Sequence, residues 1–273
     1  MSENIPVDYV LSKLNEIFQV KDISNKLEAA RSFEEAKSIH SQMEFDRVPI
    51  KEGEKIRTYY DSNSDSERKI EPHEIISEST GVLQTLNHLL NRDFYFVLSG
   101  NDITRIIHYS DLNNPLVLVP IYIQISYSEI AIRNFARTKN KDNTPEGIEK
   151  FLTDLNQNIK SKYKIKAKNA VKRFRNKLVN QTQTDLFDEL NFDDELILLR
   201  ELFRSQLDSN QVKNFEKFID LGDSNIASYR DLRNEIMHSK PEIIKQKPDI
   251  RKWREFLNFC LRIIKAVNGE VTF

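Results

Sequence analysis

Arg233, Asn234 and His238 stand within one short run, Leu232-Arg-Asn-Glu-Ile-Met-His-Ser-Lys-Pro241. They are a permanent guanidinium cation, a polar amide and an imidazole that titrates near neutral pH. That combination suits phosphodiester chemistry. The guanidinium would stabilise charge building on phosphoryl oxygens while the imidazole moves a proton. The spacing alone is a cheap pattern, of which about one instance arises by chance in a chain with this many Arg and 5 His. A second instance, Arg68 to His73, sits in a polar stretch around Pro72 without apolar periodicity and is set aside. Arg233 differs in being followed by Asn234 and surrounded by apolar residues at helical spacing.

This Arg-x4-His run resembles the signature of the HEPN family (higher eukaryotes and prokaryotes nucleotide-binding): an Arg, a polar residue, a short spacer and a His, late in an α-helical domain. The resemblance implies metal-independent RNA cleavage, with no cofactor required, in which the ribose 2′-hydroxyl attacks its own phosphate and leaves a cyclic phosphate and a 5′-hydroxyl. It gives Arg233 the phosphoryl charge, Asn234 the orientation of phosphate or imidazole, and His238 the general acid, aided by a helix C-terminus. It also implies a homodimer, because members commonly build a composite cleft from two copies. At 100° per residue, Arg233 falls within the apolar arc of Ile226, Tyr229, Ile236 and Met237, whereas His238 falls off it. In one unbroken helix the two diverge, so either the helix loosens before Pro241 or two motifs converge across a symmetric dimer. The alternative reading is a structural Arg233, paired in the interior with Glu129, in a non-catalytic dimerisation or nucleotide-binding module.

The elements that must position these residues read as helix throughout 116–273. Pro120 is expected to open a helix carrying Ile121, Ile125 and Ile132, with Glu129 in the same stripe and Arg133 one turn on. Glu129 is then either paired with Arg133 or turned toward a more distant cation. Thr144-Pro-Glu is a capped helix start. Residues 160–177 hold a run of Lys and Arg with no acid, either a solvated face or an RNA-tracking surface built on Lys164, Lys168 and Lys172. The acidic stretch Asp185 to Glu195 could neutralise it. Helices are expected near 193–207 and 209–221, the latter stopped by Gly222; Ser224 caps the motif helix and Lys240-Pro241 ends it. A last helix from Asp249 carries the core stripe Trp253, Phe256, Leu257, Cys260, Ile264 and Val267.

The first 115 residues read differently. A helix, strand, Gly turn and strand occur twice, about 47 or 48 residues apart: Phe33 to Met43, Arg47-Val-Pro-Ile and Lys55 to Tyr60, then Val82 to Leu90, Phe94 to Ser99 and Ile103 to Tyr109. The polar run Asp61 to Glu67 is expected as a linker between copies. The repeat resembles a tandem pair of CBS modules, the cystathionine-β-synthase type that senses adenosine nucleotides. By that resemblance Asp111, at the end of Ile106-Ile-His-Tyr-Ser-Asp, would accept hydrogen bonds from ribose hydroxyls, and Thr58 and Asp61 would be the matching positions of the first copy. His108 and Arg105 depart from the pattern, standing where the module has a hydroxyl residue and a small one, so the alternative to a nucleotide-binding pair is a degenerate one used only for packing or dimerisation.

Composition agrees with two domains. At 39% hydrophobic and 10% aromatic the chain can bury a core, and with 6 Gly, 8 Pro and 30% charged residues it should be mostly helical. Its net charge of −1 divides unevenly, because acids outnumber bases before residue 115 and bases outnumber acids after it, which favours the second half for a polyanionic partner. A single Cys excludes an internal disulfide framework and a multi-Cys zinc site. No clustered metal-ligating residues, signal peptide or membrane-spanning run is evident, so a cytoplasmic protein with no membrane partner is expected. The resulting expectation is an α+β chain, with tandem CBS-like βαβ repeats over 1–115 and an all-α HEPN-like helical bundle over 116–273. It would act as an endoribonuclease at a dimer interface, regulated by an adenosine nucleotide, in stress response or phage defence.

Overall fold

The computed structural model describes residues 7–159, 164–179, 185–238 and 242–273. Its first part is strand-bearing: α1 (Val7–Ile17), α2 (Val20–Ile23), β1 (Asn25–Lys26), α3 (Phe33–Met43), β2 (Arg47–Glu52), β3 (Lys55–Asp61), β4 (Ser66–Lys69), β5 (Ile75–Ser77), α4 (Val82–Leu89), β6 (Phe94–Ser99) and β7 (Asp102–His108). Helices follow: α5 (Pro115–Lys139), α6 (Pro145–Asn158), α7 (Ala167–Val179), α8 (Phe192–Gln206), α9 (Ser209–Ile219), α10 (Asp223–Met237) and α11 (Lys247–Val267). The chain divides into a sheet unit, residues 9–120 with 241–254, and a helical unit, residues 121–240 with 255–273 and 1–8. The break falls inside α5 rather than at residue 115, and 241–254 return to the sheet unit.

In the sheet unit, the duplication is visible in the backbone. β2 and β6 open at Arg47 and Phe94, and β3 and β7 at Lys55 and Asp102, an offset of 47 residues in both cases. Gly53 and Gly100 occupy the two turns at φ of 64° and 59°, left-handed values that glycine adopts without a Cβ clash. The bulges match as well: register shifts between Ile50 and Lys51 in one hairpin and between Val97 and Leu98 in the other. The strands form two sheets, β2-β3-β4 and β1-β7-β6-β5. β1, which precedes the helix of the first copy, pairs with β7 of the second, Asn25 opposite Ile106.

Apolar residues at strand and helix spacing are buried throughout the described part of this unit, among them Val20, Val82, Leu86, Leu89 and Ile107. Ser32 caps α3 by accepting from the Glu35 N–H, and Ala36 with Phe33 and Ile39 packs on Val48, Ile50 and Tyr60. Tyr59, Ile70 and Phe96 form another buried cluster, with Phe94, Ile103 and Ile106 packed against it. The run expected as a linker is instead a hairpin: Ser66–Lys69 pairs with β3, Ser66 opposite Asp61. β4 is a largely exposed, charged edge strand, so no apolar alternation announces it.

In the helical unit, α8 is the buried centre, with apolar residues on all sides from Phe192 to Phe203. Three carboxylates, Asp193, Asp194 and Glu195, open it, where the helix dipole favours negative charge. α6 starts as expected, Thr144 Oγ1 accepting from the Gly147 N–H with Pro145 first in the helix. α11 buries Phe256, Leu257, Cys260 and Ile264. α9 ends before Gly222, on Asp220 at φ 56°, and Gly222 rather than Ser224 is the N-cap of α10. Asp tolerates the left-handed cap, which leaves Gly222 free for the next start. The expected stop at Lys240-Pro241 lies outside the described residues.

α5 corrects two expectations. It opens at Pro115, with Pro120 inside it. It is also long and apolar enough to cross a membrane by length and composition, although no such run was expected. Its buried polar residues are satisfied within the helical unit: Gln124 Nε2 donates to the Leu257 carbonyl at 2.7 Å and Ser128 Oγ to the Ile125 carbonyl at 2.7 Å. Such pairing belongs to a core helix.

Candidate functional site

The sheet unit holds a cleft of about 520 Å³, bounded by β1, the end of α3, the start of β2 and the turn after β7. Leu27, Phe45, Pro49, Phe94 and Ile106 give it an apolar lining, and Asp111, His108 and Tyr109 stand at its polar side. Asp111 lies in a 3-10 turn, where one carboxylate oxygen accepts from the His108 backbone N–H at 2.8 Å and the other from Asn25 Nδ2 at 2.9 Å. Asn25 belongs to β1, so the strand exchanged between copies holds the carboxylate of the second. Each carboxylate oxygen has a second acceptor position, which leaves Asp111 able to receive hydroxyl donors from the cleft. Burial pushes its carboxyl above the usual range, and burial pushes the His108 imidazole below its own. The His108 ring sits 4.1 Å from that of Tyr109 and its Nδ1 is 2.8 Å from Ser110 Oγ.

Thr58 and Asp61 do not occupy the corresponding places. The 47-residue offset sets Asp61 against His108, since Asp61 pairs with Arg47 as His108 pairs with Phe94. Asp61 is 2% exposed and already bound on both oxygens, to Arg47 Nη1 at 2.9 Å and Arg68 Nη1 at 3.1 Å. Thr58 Oγ1 is buried without a hydrogen-bond partner, and neither residue is among those lining the cleft. Asn25, Phe45 and Arg47, which do line it, were not singled out from sequence. A register counted from Gly53 and Gly100 is the signal that would have separated Asp61 from Asp111.

In the helical unit, α10 is anchored by Tyr229, stacked at 4.0 Å on Phe259 and 5.4 Å on Phe256, and by buried Ile226 and Ile236. That anchoring turns Arg233 inward. Its Nε donates to Glu129 Oε1 at 2.8 Å, and its Nη1 lies 3.4 Å from Asn234 Oδ1. Glu129 is shared, since Arg133 Nη2 approaches its other oxygen at 3.5 Å; both partners foreseen for it are therefore engaged. Arg133 also binds Glu195 at 2.5 Å. Glu195 is fully buried, and burial pushes its carboxyl well above the usual range against the pull of Arg133. His238 is exposed at the C-cap of α10, its backbone N–H donating to the Asn234 carbonyl at 3.0 Å. Arg233 and His238 thus separate as the helical angles require.

The basic run is partly neutralised by the acidic stretch after it. Lys166 pairs with Asp193 at 3.0 Å and Lys177 with Glu189 at 2.8 Å. Lys164 caps α6, donating to the carbonyls of Asn156 and Ile159 at 2.6 and 2.8 Å. Lys168 and Lys172 are exposed one turn apart on α7. Among the described residues, no group of three or more His, Cys, Asp or Glu is placed to hold a metal ion.

No protein-family profile matches the chain, and no curated protein does. Among solved structures, it is similar to the CBS domain of a bacterial CNNM/CorC family Mg2+ transporter, a structure determined in complex with ATP. The two share 16% identity at a TM-score of 0.31, over 40% of this chain and 94% of that one. A likeness so slight carries no functional argument.

Proposed function

We propose that the chain is an adenosine-nucleotide-responsive ribonuclease, with the sheet unit as sensor and the helical unit as effector. The observation that carries the sensor is Asp111: a carboxylate held in place by Asn25 and His108, at the polar side of a cleft with an apolar lining. An apolar lining accepts a base, and a fixed carboxylate accepts two ribose hydroxyls. The effector reading rests on Arg233, Asn234 and His238 at the end of α10 and on the HEPN resemblance of that run. In the resting chain Arg233 is bound to Glu129. To meet a phosphate it must leave that carboxylate, and His238 must be supplied from a direction that two copies can provide. Of the three lysines expected to track RNA, Lys168 and Lys172 are exposed, whereas Lys164 is occupied at the end of α6.

The Arg233–Glu129 ion pair favours a second reading, in which Arg233 is structural and the helical unit is a non-catalytic dimerisation module. Labelled RNA incubated with the intact protein in EDTA, beside His238→Ala, separates the two. The ribonuclease reading expects cyclic-phosphate ends, loss of cleavage in the variant, and a response to adenosine nucleotides of about 5- to 150-fold if coupling has its usual size. Absence of cleavage with and without nucleotide would leave the structural reading.

A further inference from the structure

A second, smaller cleft of about 310 Å³ adjoins the one at Asp111, and Arg47, Asp93 and Phe94 line both. Their charges are opposite. The Asp111 cleft carries Lys26 and Arg47 against Glu28, Glu44, Asp46, Asp93 and Asp111. The smaller cleft carries Arg47, Arg68, Arg92 and Lys247 against Glu74 and Asp93. Carboxylates already touch these cations: Arg47 and Arg68 share Asp61, Arg92 binds Glu74 at 3.0 Å, and Lys247 binds Asp93 at 2.9 Å. Even so, four cations face three carboxylates, so a positive charge remains. Arg47 Nε is buried with no hydrogen-bond partner, its guanidinium 5.4 Å from the Phe94 ring. A phosphate chain in the Asp111 cleft would meet five carboxylates. In the adjoining one it would meet forked donors that match its oxygens.

We propose that this basic cleft is the phosphate subsite of the ligand whose nucleoside end Asp111 holds, which makes that ligand a nucleoside polyphosphate. Arg47 stands at the junction, where the first phosphate would turn from one cleft into the other; Arg68, Arg92 and Lys247 receive the later ones. The proposal rests on the nucleotide reading above, and inorganic tripolyphosphate tests the basic cleft without it.

The test is calorimetry on the intact chain with adenosine, AMP, ADP, ATP and tripolyphosphate, repeated with Arg92→Gln and with the doubly substituted Arg68→Gln, Lys247→Gln. Arg92 neutralises buried Glu74, so the second variant, built on more exposed side chains, guards against a folding defect. Affinity should rise from adenosine to ATP by about tenfold or more and should fall with added salt. Both variants should bring ATP down to the adenosine level while leaving adenosine unchanged, and both should lose tripolyphosphate. Equal affinity for adenosine and ATP, with no binding of tripolyphosphate, would overturn the subsite and leave the nucleotide reading standing. Binding of tripolyphosphate without any adenosine ligand would overturn the nucleotide reading, and the assignment of this cleft to a nucleotide with it.

Discussion

Replacing Arg233 by Ala removes the guanidinium 2.8 Å from Glu129 and leaves a carboxylate 7% exposed, with Arg133 at 3.5 Å as its remaining cation. Breaking a fully buried pair from one side costs about 3–5 kcal/mol, mostly as the penalty of the stranded charge. Arg233 is 23% exposed and Glu129 keeps one partner, so the expected cost is lower, about 2 kcal/mol. That corresponds to a fall in melting temperature of about 4–8 °C for a chain of this size. His238→Ala alters an exposed C-cap side chain and should stay within about 0.5 kcal/mol. Glu129→Ala should destabilise as Arg233→Ala does, and the double variant should show a coupling of about 1–2 kcal/mol. Urea denaturation of the four variants and the parent, followed by circular dichroism on the transition of the helical unit, measures each quantity. Equal midpoints for Arg233→Ala and His238→Ala, or strict additivity of the Arg233 and Glu129 changes, would refute the inward placement of Arg233. Under the proposed ribonuclease function, that coupling is also what a phosphate would have to overcome to draw Arg233 off Glu129.

Three further outcomes follow from the geometry. Gly53→Ala and Gly100→Ala each force a Cβ into left-handed backbone with nothing within 4 Å to clash, so both should destabilise by about 1–2 kcal/mol through backbone strain alone; stabilisation by either would contradict the matched turns. Burial pushes the Cys260 thiol up to about 12, so a chromogenic thiol reagent at pH 8 should find no reactive group in the native chain and one after unfolding. Burial also raises the Asp111 carboxyl, and protonation removes an acceptor. Adenosine affinity should therefore weaken as pH falls, starting above the usual carboxylate range near 4, and Asp111→Asn should weaken binding and flatten that dependence.

Much of this was legible because local rules agree with the fold. Thr144-Pro145 starts a helix on its own chemistry, and the wheel that set Arg233 among Ile226, Tyr229 and Ile236 needed only the helical period. What failed was equivalence between distant positions. Thr58 and Asp61 repeat the three-residue separation of the resembled signature, and by that spacing Asp61 is the twin of Asp111. Spacing along one strand carries no information about the partner strand. Hydrogen-bond register does, and it is set by Gly53 and Gly100 and by the bulges at Ile50 and Val97. Counted from those turns, Asp61 is the twin of His108. It faces Arg47, and its charge holds two arginines in the basic cleft instead of receiving a ribose. The partner of Asp111 was out of reach for the same reason. Asn25 lies 86 residues away, on a two-residue strand that crosses from one copy to the other. Nothing in Asn25-Lys26 marks a strand by itself, because both residues are exposed and polar. The two halves thus share a backbone pattern but differ in chemistry. In the second copy the end of β7 leads to a carboxylate on the acidic, apolar-lined cleft; in the first the end of β3 is a carboxylate that organises cations. That asymmetry is what the proposed nucleoside polyphosphate, with its two unlike ends, would use.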